Sequence, residues 1–274
     1  MNVGICIRHA AQGMREKFMD AAARGFHHCQ LISWEPQLWT DEEAVRIRAC
    51  CAESGVEITA FWCGWVGPRI WNFVDGPETL GLVPPAYRLA RMQNLMDGAD
   101  FARKLDVTDV VSHMGFIPES PSDPNYAGFV SAIRAVAVHL QGNGQNLLFE
   151  TGQETPVAML RCFEDVGGGN LFVNLDPANL ILYGKANPVD ALDVFGRYVR
   201  GVHAKDGLYP VNGRELGQEV RIGAGKVDFA RLIARLREVG FDGSLTIERE
   251  IEGEEQIRDI MDAKTYLNRL IAAQ

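Results

Sequence analysis

Several signatures are missing from this sequence, and each absence excludes something. No Cys-x-x-Cys pair occurs among the six cysteines at 6, 29, 50, 51, 63 and 162, so a thiolate zinc site is not expected. Their number and spread in a 274-residue chain do not resemble a disulfide framework either. Cys50 and Cys51 fall in a helical pattern, where cysteine acts as a small buried hydrophobe, and a reducing cytoplasm is the expected compartment. No apolar run reaches the roughly 18–20 residues needed to span a bilayer, and the opening "MNVGICI" reads as a strand without the basic and apolar regions of a secretory signal. Nor is there a run of Lys and Arg to offset a net charge of −9, so neither nucleic acid nor membrane is an expected partner. Arg88, Arg91 and Arg103 sit on a helical pattern and read as a solvated face.

What remains is a regular alternation. Apolar strand-like runs occur at 3–7, 28–32, 57–62, 109–113, 146–150, 171–175, 199–203 and 244–248. Several are almost continuously apolar, as strands covered on both faces are. Helical patterns lie between them near 13–24, 41–54, 86–105, 125–140, 155–165, 188–196, 227–239 and 254–272. Thr40 with Glu43 forms a capping box, Pro188 suits a first helical turn, and Gly25, Gly55 and Gly240 stand where helices stop. Eight strand–helix pairs predict a (β/α)8 TIM barrel formed by 1–274 as a single domain. The competing doubly wound sheet often carries a Gly-rich turn after its first strand, where this chain has "CIRHAAQGM". Two long insertions, 63–85 and 207–226, both follow strands. They therefore belong to the end of the barrel where such folds build their sites.

At that same end the later strands finish in ionisable residues: His113, Glu150, Asp176, His203 and Glu248. Singly, each has an ordinary reading. A strand-end carboxylate caps a helix or sits on the surface, and Asp176 before Pro177 starts a turn. Jointly, on four consecutive strands, Glu150, Asp176, His203 and Glu248 would crowd three carboxylates and an imidazole into one mouth. Their mutual repulsion calls for protonation or a cation. Three oxygens, one nitrogen and no sulfur favour a single six-coordinate divalent ion, Mn²⁺ first, with Mg²⁺, Co²⁺ or Zn²⁺ as alternatives. Weaker features remain open. Trp62, Trp65 and Trp71 either wall a sugar face or merely pack a loop. "RIGAGKVDF" is a phosphate cradle or the turn into a helix, and Lys205 pairs with a substrate oxygen or with Asp206.

The motifs "LLFETG", "VNLDPANL", "GVHAKDG", "IGAGKVDF" and "GSLTIEREI" together resemble the xylose isomerase-like TIM barrels, within them the sugar (phosphate) isomerase/epimerase group. The resemblance spans nearly the whole chain and is densest over 146–251. It implies that Glu150, Asp176, His203 and Glu248 hold one divalent metal. It also implies that Glu150 and Glu248 exchange protons with a sugar or sugar phosphate next to its carbonyl, through an ene-diolate. His113 then lies near the substrate, with Lys205, Asn179 and Trp62 as further substrate contacts. Glu250, in the same "ERE", is expected to point elsewhere. Two positions depart from the pattern. Asn179 stands where many relatives have histidine, and Gln30 where many have a glutamate ending the second strand. A dehydratase of a keto or cyclic sugar could use the same parts. A non-catalytic sugar-binding barrel is the reading of another class. A three-zinc apurinic-site endonuclease would need more ligands, and the third strand, "ITAFWCG", has no histidine. The expected partner is a small sugar, and homo-oligomerisation is compatible with the composition.

Overall fold

Alternating strands and helices close into one ring. In the computed structural model, which describes residues 1–273, eight parallel strands form a barrel in the order β1-β10-β7-β6-β5-β4-β3-β2. The elements run β1 (Asn2–Arg8), α1 (Met14–Ala23), β2 (His28–Ser33), α2 (Asp41–Ser54), β3 (Glu57–Cys63), α3 (Gly76–Thr79) and α4 (Pro85–Lys104). They continue with β4 (Asp109–Ser112), α5 (Tyr126–Gly142), β5 (Asn146–Glu150), α6 (Pro156–Val166), β6 (Leu171–Leu175), α7 (Pro177–Leu182) and α8 (Pro188–Phe195). The last are β7 (Val199–Ala204), β8 (Asp206–Leu208), β9 (Gln218–Val220), α9 (Phe229–Glu238), β10 (Ser244–Ile247) and α10 (Glu254–Ala272). The first strand pairs with the last, Asn2 to Ser244 through Ile5 to Ile247, so the barrel has no free edge.

Period-two alternation sorts each strand's residues between two cores. Outward side chains such as Phe61, Phe149, Val173 and Val202 pack against the helices in the large shell. Inward ones form a smaller plug, with Ala60, Trp62, Val111 and Leu148 at its centre. The same rule aims Glu150, Asn174 and His203 inward near the C-terminal end. At the opposite end Arg200 Nε bonds both Asp109 carboxylate oxygens at 2.9 Å, and Asn146 adds a third bond to that carboxylate.

Local signals explain the boundaries. Thr40 Oγ1 accepts from the Glu43 amide, Asn187 caps α8 through the Val189 and Asp190 amides, and Gly55 ends α2 at φ 71°. Four elements were not foreseen. The insertion after β3 contains α3, the insertion after β7 contains the antiparallel hairpin β8–β9, and α7 begins directly at Pro177. The solvated face expected on α4 is corrected at two positions, for Arg88 is half-buried and donates to the Leu82 carbonyl at 2.8 Å. Arg103 is exposed, but Arg91 is fully buried, and it donates to the carbonyls of Val66 (3.2 Å), Pro68 (2.7 Å) and Gly81 (2.6 Å). Gly81 is needed where this loop crosses the one after β4. A Cβ there, at φ +66°, would lie 2.0 Å from the Met114 carbonyl carbon. All six cysteines are free, and Cys29, Cys63 and Cys162 are wholly buried. Among the described residues no helix is long and apolar enough to cross a membrane.

Candidate metal centre

Four strands deliver four donors to one point. Glu150 ends β5, Asp176 follows β6, His203 lies on β7, and Glu248 follows β10, where its amide still bonds the Ala204 carbonyl at 3.1 Å. One donor atom of each lies within 4.8 Å of the others. His203 Nδ1 is the hub, 3.2 Å from Glu150 Oε1, 3.4 Å from Glu248 Oε2 and 3.8 Å from Asp176 Oδ2. The other ring nitrogen, Nε2, faces Gln30 Oε1 at 2.8 Å, and Gln30 Nε2 in turn donates to Asn174 Oδ1 at 2.9 Å. Gln30 Oε1 therefore accepts from the Nε2–H and leaves Nδ1 directed at the three carboxylates.

Asp176 divides its work between its two oxygens. Oδ1 caps α7, accepting from the Asn179 amide at 2.8 Å. Oδ2 is buried without a hydrogen-bond donor, although the Lys205 ammonium lies 3.1 Å away as an ion partner. A buried carboxylate oxygen without a donor is costly, and a cation would offset that cost. The donor set, three carboxylates and one imidazole nitrogen, fits a hard or borderline divalent ion.

Charges in the cluster hold one another. Burial by itself would push the Glu248 carboxyl up, but Lys205 and His203 keep it well below the usual range. Glu150 is likewise held below its ordinary value, burial being outweighed by His113 and His203. The converse applies to His203 and Lys205. Burial opposes their protons, yet Glu150 and Glu248 raise the imidazole, and Asp176, Glu248 and Glu250 raise the ammonium, well above their ordinary values.

The remaining residues fall around this cluster. Trp62 Nε1 donates to Glu150 Oε2, and Asn179 Nδ2 donates to Glu150 Oε1 at 3.3 Å. His113 Nε2 is 3.6 Å from Glu150 Oε1. Lys205 does not pair with Asp206; it binds Glu248 Oε2 at 2.9 Å. Glu250 does not point away, since its carboxylate lies 3.3 Å from Lys205 and it lines the same cavity as Glu248. Alternation returns a side chain to the same face after two residues, which puts Glu250 with Glu248. The phosphate-cradle reading of "RIGAGKVDF" is also settled. The amides of Gly223, Gly225 and Val227 converge on the Asp206 carboxylate at 2.9–3.0 Å, so the chain's own anion fills that turn. Only glycine fits at 225, where a Cβ would sit 2.0 Å from Asp206 Oδ1.

A cavity of about 220 Å³ opens above the donors, lined by Trp34, Trp62, Trp71, His113, Asn179 and Tyr183 among others. Trp34 was not foreseen, although "LISWEP" places it one residue beyond β2, at the mouth.

The sequence profile of the xylose isomerase-like TIM barrels matches residues 18–269. The chain belongs to that family. A solved xylose isomerase domain protein from Planctomyces limnophilus is 34% identical, with 99% of each chain covered and a TM-score of 0.91. A D-psicose 3-epimerase solved in the presence of D-fructose shares the fold at 17% identity and a TM-score of 0.74, with 99% of each chain covered. An uncharacterised protein of Methanocaldococcus jannaschii is 26% identical over 197 residues, which span 67% of this chain and 63% of that relative.

Proposed function

We propose that Glu150, Asp176, His203 and Glu248 hold one divalent ion, Mn²⁺ before Mg²⁺, Co²⁺ or Zn²⁺, and that the protein is a sugar or sugar-phosphate isomerase or epimerase. The observation that carries this reading is the pairing of Glu150 and Glu248. Both are held ionised, they come from separate strands, and they line one small cavity together. When bound, the ion would polarise a substrate carbonyl and acidify the adjacent C–H.

The chain's own groups then supply the proton traffic. An ionised carboxylate is the form a general base requires. Trp62 and Asn179 fix the two oxygens of Glu150, so its approach to a substrate carbon is set before binding. Glu248 faces Lys205, whose ammonium at 2.9 Å keeps it ionised and ready to accept a proton. A proton taken by one glutamate and returned by it to the neighbouring carbon, as the hydroxyl proton passes to the former carbonyl oxygen, isomerises the sugar. A proton delivered to the opposite face by the other glutamate, once that carboxylate has drawn one from solvent, inverts the centre. The indoles of Trp34 and Trp62, with ring centroids 4.9 Å apart, give an apolar wall for the sugar's C–H face.

The test is solvent deuterium exchange into a panel of keto- and aldo-sugars with Mn²⁺-loaded protein. Label at C2 or C3 supports the reading and names the carbon attacked. The Glu248→Gln variant should lose about 10²–10⁴-fold in exchange rate, the usual contribution of a positioned acid–base group. Exchange that survives this substitution, or no exchange with any sugar, would overturn the assignment.

A further inference from the structure

The mouth of the site carries two arginines that form no ion pair among the described residues. Arg8 is the last residue of β1, and alternation places it on the inward face with Cys6, which reaches His203. It lines the cavity above the donors together with Trp34, Trp71 and Glu250. These same four residues also line an outer recess of about 300 Å³, joined there by Arg69 from the loop after β3. The Arg69 guanidinium lies 4.3 Å from the centroid of the Trp34 ring. Among the described residues, neither Arg8 nor Arg69 has an ion-pair partner or a hydrogen bond from its side chain, whereas most other arginines do. Arg15, Arg24, Arg46, Arg200 and Arg249, for example, each meet a carboxylate.

Two carboxylates, Glu35 and Glu250, share the recess with them. Glu250 lies 3.3 Å from Lys205, and Glu35 accepts from Gln37. A third cation, Lys17, approaches from behind and donates to the Arg8 carbonyl at 2.7 Å. Two guanidiniums without ion pairs thus face one recess at the mouth of the site, on a protein of net charge −9. Guanidinium is the group best shaped to hold a carboxylate or a phosphate. The route between the two ends is continuous, from Glu150 to the Trp62 indole, to Trp34 and then to Arg69.

We propose that the substrate is an anionic polyhydroxy-carbonyl compound. Its terminal oxyanion is held by Arg8 and Arg69 at the rim, while its carbonyl end reaches the Glu150–Glu248 cluster. This rests on the isomerase or epimerase reading for the identity of the reacting end. The anion contact itself requires only the rim. Holding the charged end at the recess sets which end of the chain reaches the two glutamates, so Arg8 and Arg69 determine specificity rather than the chemistry.

The test is calorimetric titration of the Mn²⁺-loaded protein with matched series of ketoses, each offered neutral, as the terminal phosphate and as the terminal carboxylate. D-fructose, D-fructose 6-phosphate and D-fructuronate make one series, and shorter ketoses with their phosphates and acids make the others. At least one anionic member should bind about 10- to 100-fold more tightly than its neutral counterpart, the usual range for charge-assisted contacts. Which arm wins tells phosphate from carboxylate. The advantage should collapse in Arg8→Gln and in Arg69→Gln, and survive in part in Arg69→Lys. Equal affinity within every series, no binding of any anionic member, or an advantage unchanged in both glutamine variants overturns the proposal. Anion-selective binding without deuterium exchange would sink the proton-transfer reading and leave this one standing. Exchange into neutral sugars without anion preference would do the reverse.

Discussion

Glu150, His203, Lys205 and Glu248 have their protons set by one another. His203 keeps its proton because Glu150 and Glu248 outweigh the penalty of burial. A divalent ion needs Nδ1 free, so binding must expel that proton. Metal affinity should therefore rise with pH, by up to about tenfold per unit while His203 remains protonated in the metal-free protein. Titration calorimetry with Mn²⁺ at pH 6, 7 and 8, in buffers of different ionisation enthalpy, reads both the slope and the released proton. A pH-independent affinity would contradict the assignment of His203 as a ligand. Glu154 shows the opposite imbalance. Burial raises its carboxyl to about 8, outweighing backbone hydrogen bonds from Gly152, at 3.2 Å, and from its own amide. The folded protein thus binds more protons than the unfolded one between roughly pH 4.5 and 8, and this group's contribution to stability falls as pH rises through that window. Glu154→Gln should flatten the dependence and stabilise the protein by roughly 3 kcal/mol at pH 7. Urea unfolding at pH 6 and pH 8 would show it, and an unchanged pH slope would refute it. At this scale the four donors were legible because strand-end carboxylates and histidine recur on consecutive strands. Gln30 in its role beside His203 was not legible, since an amide that orients a ring leaves no pattern in the sequence. Glu250 was misread although the period-two rule contained the answer.

Elements were legible where hydrophobic period and caps agreed. All eight barrel strands and the eight large helices lie within two residues of their expected bounds. The elements missed are short ones whose stability is borrowed. The six-residue α7 exists because Asp176 caps it and Pro177 opens it, signals equally compatible with a turn. The β8–β9 hairpin pairs three residues with three and is anchored by the Asp206 carboxylate against the following turn. The loop after β3 depends in the same way on Arg91, which an α-helical pattern of charged residues presents as solvated. Its guanidinium reaches carbonyls at both ends of that loop, and burial without a carboxylate partner lowers its pKa to about 10. Arg91→Ala leaves three carbonyls without donors and should cost about 3 kcal/mol. Hydrogen exchange should then accelerate across residues 64–83, the segment bearing Trp65, Arg69 and Trp71. Protection there equal to that of the unaltered protein would show that the loop stands without the clamp.

The whole molecule separates its two ends. One end of the ring ties Asp109 to Arg200 and Asn146 and carries none of the four donors. The other end gathers the donors, the cavity tryptophans and the two arginines of the outer recess. Ring closure between β1 and β10 makes each strand depend on two neighbours, so the barrel should unfold as one cooperative unit. The buried thiols offer a direct reading of that cooperativity. Cys29 on β2 and Cys63 on β3 lie in one half of the ring, and Cys162 on α6 lies in the other. Burial raises all three, Cys162 to about 12, so none reacts while the ring is intact. Under a constant dose of iodoacetamide in mild urea, a single unit predicts one shared alkylation rate for the three, followed peptide by peptide in a mass spectrometer. A barrel able to part into halves would mark Cys162 on a different clock from Cys29 and Cys63.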